Sequence, residues 1–285
     1  MSGQVETAAA RPRLSRRSLT LNIGLFLVGM HVTVALLTLV WTPYDPTGMT
    51  GGRLEAPSWA HWAGTDRLGR DLFTQIMIGS RIALIVGFGA VAIAATIGVT
   101  LGVLSAFATR YLDDILAAAF DILIAFPTLL LAMLVVAATE SASLFSATLA
   151  LGIAISAIVA RLTRILAKRI LSMDYITAAR TAGASWPSIV FRHLLPNIWP
   201  MLAVNFALQF GLAVIAEASL SYLGLGAPPP NASWGRLLQE AQGTVYTAPF
   251  GAIAPGIALV TLVIGMNLLA DGLREAGDPT RRGRQ

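Results

Sequence analysis

The sequence contains no cysteine, a single lysine and little charge of either sign. Without cysteine there are no disulfides and no thiolate metal sites, and the redox compartment stays open. The one lysine, Lys168, sits between Ala167 and Arg169. A phosphate-binding P-loop needs Gly-Lys-Ser/Thr, so that the lysine can reach the terminal phosphates. The chain has no such loop. It is therefore not expected to be an ATPase or to hold a cofactor, and ATP that drives its work would be hydrolysed on partner subunits. His31, His61 and His193 fall in an apolar run, a Gly/Pro-rich stretch and a basic stretch. No catalytic or metal site is expected from them. Charged residues make up 12% of the chain, against about 25% in a soluble domain. So few charges cannot cover a soluble protein of this size.

What is present is apolar. Hydrophobic residues reach 55% and mean hydropathy is +0.70, which places the chain among membrane proteins. A span needs roughly 20 apolar residues. Apolar runs at 21–41, 82–107, 115–138, 143–160, 198–223 and 250–270 predict six transmembrane helices. Ser15-Arg16-Arg17 resembles a twin-arginine export signal. The run after it is longer than a signal core, and no small-residue cleavage site follows, so 1–20 reads as a cytoplasmic tail before the first span. Residues 42–81, with Pro43, Pro46, Gly51, Gly52 and Pro57, read as an extracytoplasmic loop. The remainder reads as a five-helix core over 82–271, with an inner loop at 161–199, and a tail over 272–285. With both termini cytoplasmic, fifteen of the twenty Lys/Arg lie inside and five (Arg53, Arg67, Arg70, Arg81, Arg236) outside. That asymmetry fits the positive-inside rule. It also accounts for the net charge of +5 without nucleic acid; the partner it implies is the lipid bilayer.

The inner loop is the most informative stretch. Asp174 suits an N-cap, and Ala178, Ala179 and Ala182 favour helix. Gly183 is a natural stop. Ser185 and Pro187 suit the start of a second short helix, which Leu195-Pro196 should end. A helix over 175–182 would be about 12 Å long, too short to stand alone. It packs either on its own bundle or on a cytoplasmic partner, and spacing alone does not choose between these.

This stretch resembles the EAA loop of ABC importer permeases through Ala178, Ala179, Gly183 and Leu195-Pro196. Thr177 stands where the family's glutamate usually is, and His193 at its isoleucine position. Further stretches resemble the dipeptide, oligopeptide and nickel branch. They are Gly64-Thr65-Asp66-Arg67-Leu68-Gly69-Arg70-Asp71; Asp121 with Ala125-Phe126-Pro127; Glu217-Ala218-Ser219 through Gly226, then Pro229 and Ser233-Trp234-Gly235; and Asn267 through Arg274 with Asp278-Pro279. Their order resembles the second, C-type, permease of a pair. The resemblance implies a type I importer permease fold and a multi-pass protein of the bacterial or archaeal cytoplasmic membrane. Its partners would be a homologous B-type permease, two ABC ATPase subunits and an extracytoplasmic substrate-binding protein. It implies an importer for di- or oligopeptides, with nickel or another small solute as the alternative, and coupling through the 174–196 loop.

Several residues carry two readings. Glu217, a carboxylate in a span, either lines the translocation path or makes a structural hydrogen bond or partner contact near the outer end. Asp121 either lines the path or pairs with an arginine at the membrane surface. Gly98 and Gly102 would admit a close helix, a spacing frequent by chance. Pro127 should kink the third span. Two rivals remain. An ion-coupled secondary transporter would usually show mid-membrane ionisable groups and an inverted repeat. An intramembrane enzyme would need a nucleophile–base pair or metal ligands in its spans. The chain offers little of either.

Overall fold

A computed structural model describes residues 16–139, 143–226, 228 and 232–277. The expectations placed on Ser15, Pro229 and Asp278-Pro279, and most of the two tails 1–20 and 272–285, lie outside that set. The described residues are helical throughout, apart from loops and one isolated bridge between Thr65 and Asp71.

Helix α1 (Arg16–Leu37) leads into the outer loop. Helix α2 (Leu72–Phe107) starts ten residues before the expected 82, so the loop is shorter than 42–81. The cause is Asp71. Its carboxylate accepts the Thr74 amide at 2.7 Å and caps the helix. Arg81, counted above as a loop residue, is thereby inside α2. The third apolar run is broken. α3 (Arg110–Ala125) and α4 (Thr128–Ala138) meet at 95°. Phe126 and Pro127 both adopt extended ψ values, 134° and 126°, because proline pushes the residue before it out of the helical region. Where a kink was expected, there is a full break. Among the described residues five helices are long and apolar enough to cross a membrane, and the bent pair makes six if it counts as one span.

α5 (Leu144–Leu171) runs back to the cytoplasmic side and opens on a capping box at Ser143 and Ser146. α6 (Asp174–Thr181) and α7 (Trp186–Ile189) follow. A π-helical turn, Val190–Leu194, then passes directly into α8 (Leu195–Tyr222). Leu195-Pro196 was expected to end the second loop helix; it opens α8 instead. Proline removes one ladder donor and crowds the preceding turn. The wider π turn just before it, closed by the Leu195 amide on the Val190 carbonyl, relieves that crowding. α9 (Trp234–Ala241) and α10 (Phe250–Gly277) complete the chain.

The most extensive helix pair is α2 with α5, and it rests on glycine. A Cβ on Gly98 would lie 2.7 Å from the Ser156 carbonyl oxygen, and one on Gly102 2.5 Å from that of Ala160. The spacing that chance could have produced is a used contact. Around it Val86, Ala90, Ala94, Leu151 and Ile155 are buried together. A second cluster joins α1, α2, α8, α9 and α10 through Ala35, Leu84, Phe210, Trp234 and Leu262. A third, at the cytoplasmic ends, holds Ala167, Leu194, Ile198 and Leu202.

Candidate coupling site on the cytoplasmic face

The inner loop presents α6 almost bare. Ile176 is its only buried residue, at 2% exposure. Ala179 is half-buried, and Asp174, Thr177, Ala178, Thr181 and Ala182 are exposed. An eight-residue helix cannot persist on propensity alone. Its local supports are visible. Met173 occupies the N-cap position, so Asp174 is the first helical residue and not the cap. Its charge there complements the helix dipole. At the other end Gly183 has φ +88°. The Gly183 amide donates to the Arg180 carbonyl at 2.9 Å, and the Ala184 amide to the Ala179 carbonyl at 3.0 Å. This is a Schellman ending, which needs a left-handed residue at that position. A Cβ at Gly183 would meet nothing within 4 Å, so its constraint lies in the backbone and not in packing.

The loop is tied to the bundle by aromatic contacts. The Arg180 guanidinium lies 4.2 Å from the centroid of the Trp186 ring. Trp186 packs edge-on against Phe107, the last residue of α2, at 4.9 Å. Tyr175 and His193 face each other at 6.2 Å. Ser185 precedes α7 with Pro187 in its first turn, as the spacing predicts, though its side chain makes no capping bond. Of the sequence-predicted residues, Asp174, Thr177, Ala178, Ala179 and Gly183 share α6 and its cap, while Leu195 and Pro196 lie at the far end of the loop, where α8 begins.

One cluster beside this loop was not singled out in the sequence. Asp113 is buried. It accepts Arg164 through both carboxylate oxygens, at 2.6 and 2.7 Å, and also pairs with Lys168. The Ser105 hydroxyl donates to it at 2.9 Å. The cytoplasmic ends of α2, α3 and α5 are thus joined at one carboxylate. The available signal was the spacing of Arg164 and Lys168, one helical turn apart on one face. Asp121 pairs with Arg161 at 3.2 Å, both more than half exposed, which is a surface pair.

At the outer end Glu217 is buried and accepts the Ser221 hydroxyl at 2.6 Å. The Ser233-Trp234-Gly235 stretch has a packing explanation. Ser233 caps α9. Trp234 is buried and donates to the Ile76 carbonyl at 3.0 Å. A Cβ on Gly235 would lie 1.9 Å from the Ala218 carbonyl oxygen. Arg70 bridges Asp66 and Glu240, at 2.6 and 3.0 Å, and fastens the outer loop to α9. No group of three or more His, Cys, Asp or Glu among the described residues could hold a metal.

Residues 98–283 match the family of binding-protein-dependent transport system inner membrane components. The chain belongs to that family. The match covers the 174–196 loop, α8, α9 and α10. The chain is 40% identical over 271 residues to the glutathione transport system permease protein GsiD of Pectobacterium atrosepticum, covering 94% of this chain and 89% of that protein. It is 37% identical over 259 residues to the dipeptide transport system permease protein DppC of Alkalihalophilus pseudofirmus, covering 90% and 84%. Among solved structures, an inward-facing form of the MetNI methionine ABC transporter aligns with a TM-score of 0.58 at 21% identity, over 73% of this chain and 96% of that one. That likeness is one of fold. The type I importer permease fold and the multi-pass inner-membrane placement expected from the sequence are therefore those of the protein.

Proposed function

We propose that this permease forms half of the translocation channel of a peptide importer, and that α6 is the element through which cytoplasmic ATPase subunits drive it. The observation that carries the coupling role is the exposure of α6. It has a Schellman cap and one buried anchor, yet its Thr177, Ala178 and Thr181 surface is exposed and covers nothing among the described residues. Short, small side chains leave a smooth ridge that fits a cleft. Thr177, in place of a carboxylate, makes that fit one of shape and not of a salt bridge. The relatives named for dipeptides and glutathione support peptides as the cargo over nickel. The partners on this reading are a second, homologous permease, two ATPases and an extracytoplasmic binding protein, with ATP held on the ATPases.

The test is reconstitution. The tagged chain is purified with the subunits that accompany it and placed in vesicles with the binding protein. ATP-driven uptake of labelled di- and tripeptides is then followed. Uptake that requires the ATPase and the binding protein supports the reading. A chain that purifies without an ATPase, or hydrolyses ATP by itself, refutes the coupling role. Uptake of nickel with none of peptide refutes the cargo.

A further inference from the structure

The groove between the outer halves of α1 and α2 is apolar but contains one unpaired charge. It has a volume of about 410 Å³. Val32, Ala35 and Leu36 line it from α1, and Leu84, Ile85 and Phe88 from α2, together with Arg81. Leu36 and Phe88 are 60% and 55% exposed, so the groove opens sideways, where the membrane lies. Arg70, Arg161, Arg164 and Arg236 are all ion-paired. Arg81 is half-buried and has neither an ion pair nor a hydrogen bond among the described residues.

The depth of Arg81 identifies what could neutralise it. Ser105, in the Asp113 cluster at the cytoplasmic end of α2, lies 24 residues further along the helix, about 36 Å at 1.5 Å per residue. The hydrocarbon core is about 30 Å thick. Arg81 is thus at the level of the outer headgroups. Side chains tilt toward the helix N-terminus, so its guanidinium extends outward while its stem stays along the apolar groove, as snorkelling side chains do. Leu84, Ile85 and Phe88 follow one to two turns deeper, in the acyl region. A cation above an open apolar groove is complementary to a molecule with an anionic head and a hydrocarbon tail. We propose that this groove binds a glycerophospholipid of the extracytoplasmic leaflet, with Arg81 on the phosphate and an acyl chain against Leu36 and Phe88. The inference needs only the membrane placement and is independent of cargo and coupling.

The test uses the full-length chain within its transporter, in vesicles of phosphatidylethanolamine and phosphatidylglycerol. A photo-crosslinking benzoylphenylalanine replaces Leu36, and the irradiated protein is weighed intact. The expected result is an adduct of phospholipid mass. Arg81→Gln should lose it and Arg81→Lys should keep it. Leu84→Trp, which fills the groove and leaves the charge, should lose it too. An adduct of protein mass would assign the groove to a partner subunit. That outcome, the absence of any adduct, or an adduct unchanged in Arg81→Gln and Leu84→Trp, overturns the proposal.

Discussion

Replacing Gly183 perturbs the inner loop apart from the rest of the bundle. At φ +88° a side chain strains the backbone by about 1–2 kcal/mol. Because a Cβ there would touch nothing within 4 Å, that strain is the whole effect, with no clash added. It falls on the Schellman bonds of Gly183 and Ala184, which end a helix of eight residues with little stability of its own. One to two kcal/mol is a factor of about 5–30 in a two-state population. The loss should be graded by side chain. Gly183→Asn, tolerated in the left-handed region, should be mild, Gly183→Ala intermediate, and the β-branched Gly183→Val most severe. The spans do not contact this residue, so the amount of membrane-inserted protein and its melting temperature should stay unchanged. Association with the ATPase and ATP-driven uptake should fall in the order Asn, Ala, Val. If Val and Asn transport alike, the left-handed turn is not required for coupling. If Val fails to insert, Gly183 serves folding and the argument from exposure fails.

Three further outcomes follow from other parts of the molecule. Asp113→Asn weakens the bidentate bond to Arg164 and the pair with Lys168; charged hydrogen bonds contribute about 1.5–3 kcal/mol each when buried, and Arg164 and Lys168 are partly exposed, so a loss near the lower value is expected, read as a lower melting temperature in detergent. Gly102→Val drives a side chain into the Ala160 carbonyl and Thr163; overpacking costs about 1–3 kcal/mol, and the yield of folded protein should drop while Gly256→Val, where a Cβ meets nothing within 4 Å, should leave it intact. Cysteine at position 58 should react with an impermeant thiol reagent in whole cells and cysteine at the exposed Ala182 should not; the reverse pattern would invert the orientation read from the arginines.

The helical membrane architecture and the short helices of the inner loop were legible in the sequence because both are written locally. Apolar runs longer than a bilayer is thick admit few alternatives, and the Ala-Ala…Gly spacing sets a short capped helix by backbone preference alone. Boundaries were lost wherever a single side chain decided them. Asp71 moves the start of α2 by ten residues through one carboxylate–amide bond, and composition averaged over the Gly/Pro-rich loop hides it. The run through Leu195-Pro196 looked like a stop because proline usually is one; the π turn that rescues it depends on geometry five residues back. Asp113 was hidden for a different reason. Its partners Arg164 and Lys168 lie 51 and 55 residues away, so its neutralisation is tertiary. Arg81 was assigned to a loop by the same boundary error that displaced α2.

The weak anchor of α6 suits the coupling role proposed for it. Burying one isoleucine contributes about 1.5–3 kcal/mol, and an exposed cation–π contact about 0.5–1 kcal/mol. A partner that binds α6 differently in two states needs a free-energy difference of only that size to reposition it. The displacement then has two routes inward. Trp186 bears on Phe107 at the end of α2, and α2 carries the Gly98–Gly102 contact with α5. In the other direction α7 continues through the π turn into α8 with no intervening loop, so a rotation of the loop turns the first part of α8 with it. The Asp113 cluster locks α2, α3 and α5 together at the same level. On the proposed coupling role, a push at α6 reaches α2, α3 and α5 through Trp186 and the Asp113 cluster, and α8 through the π turn.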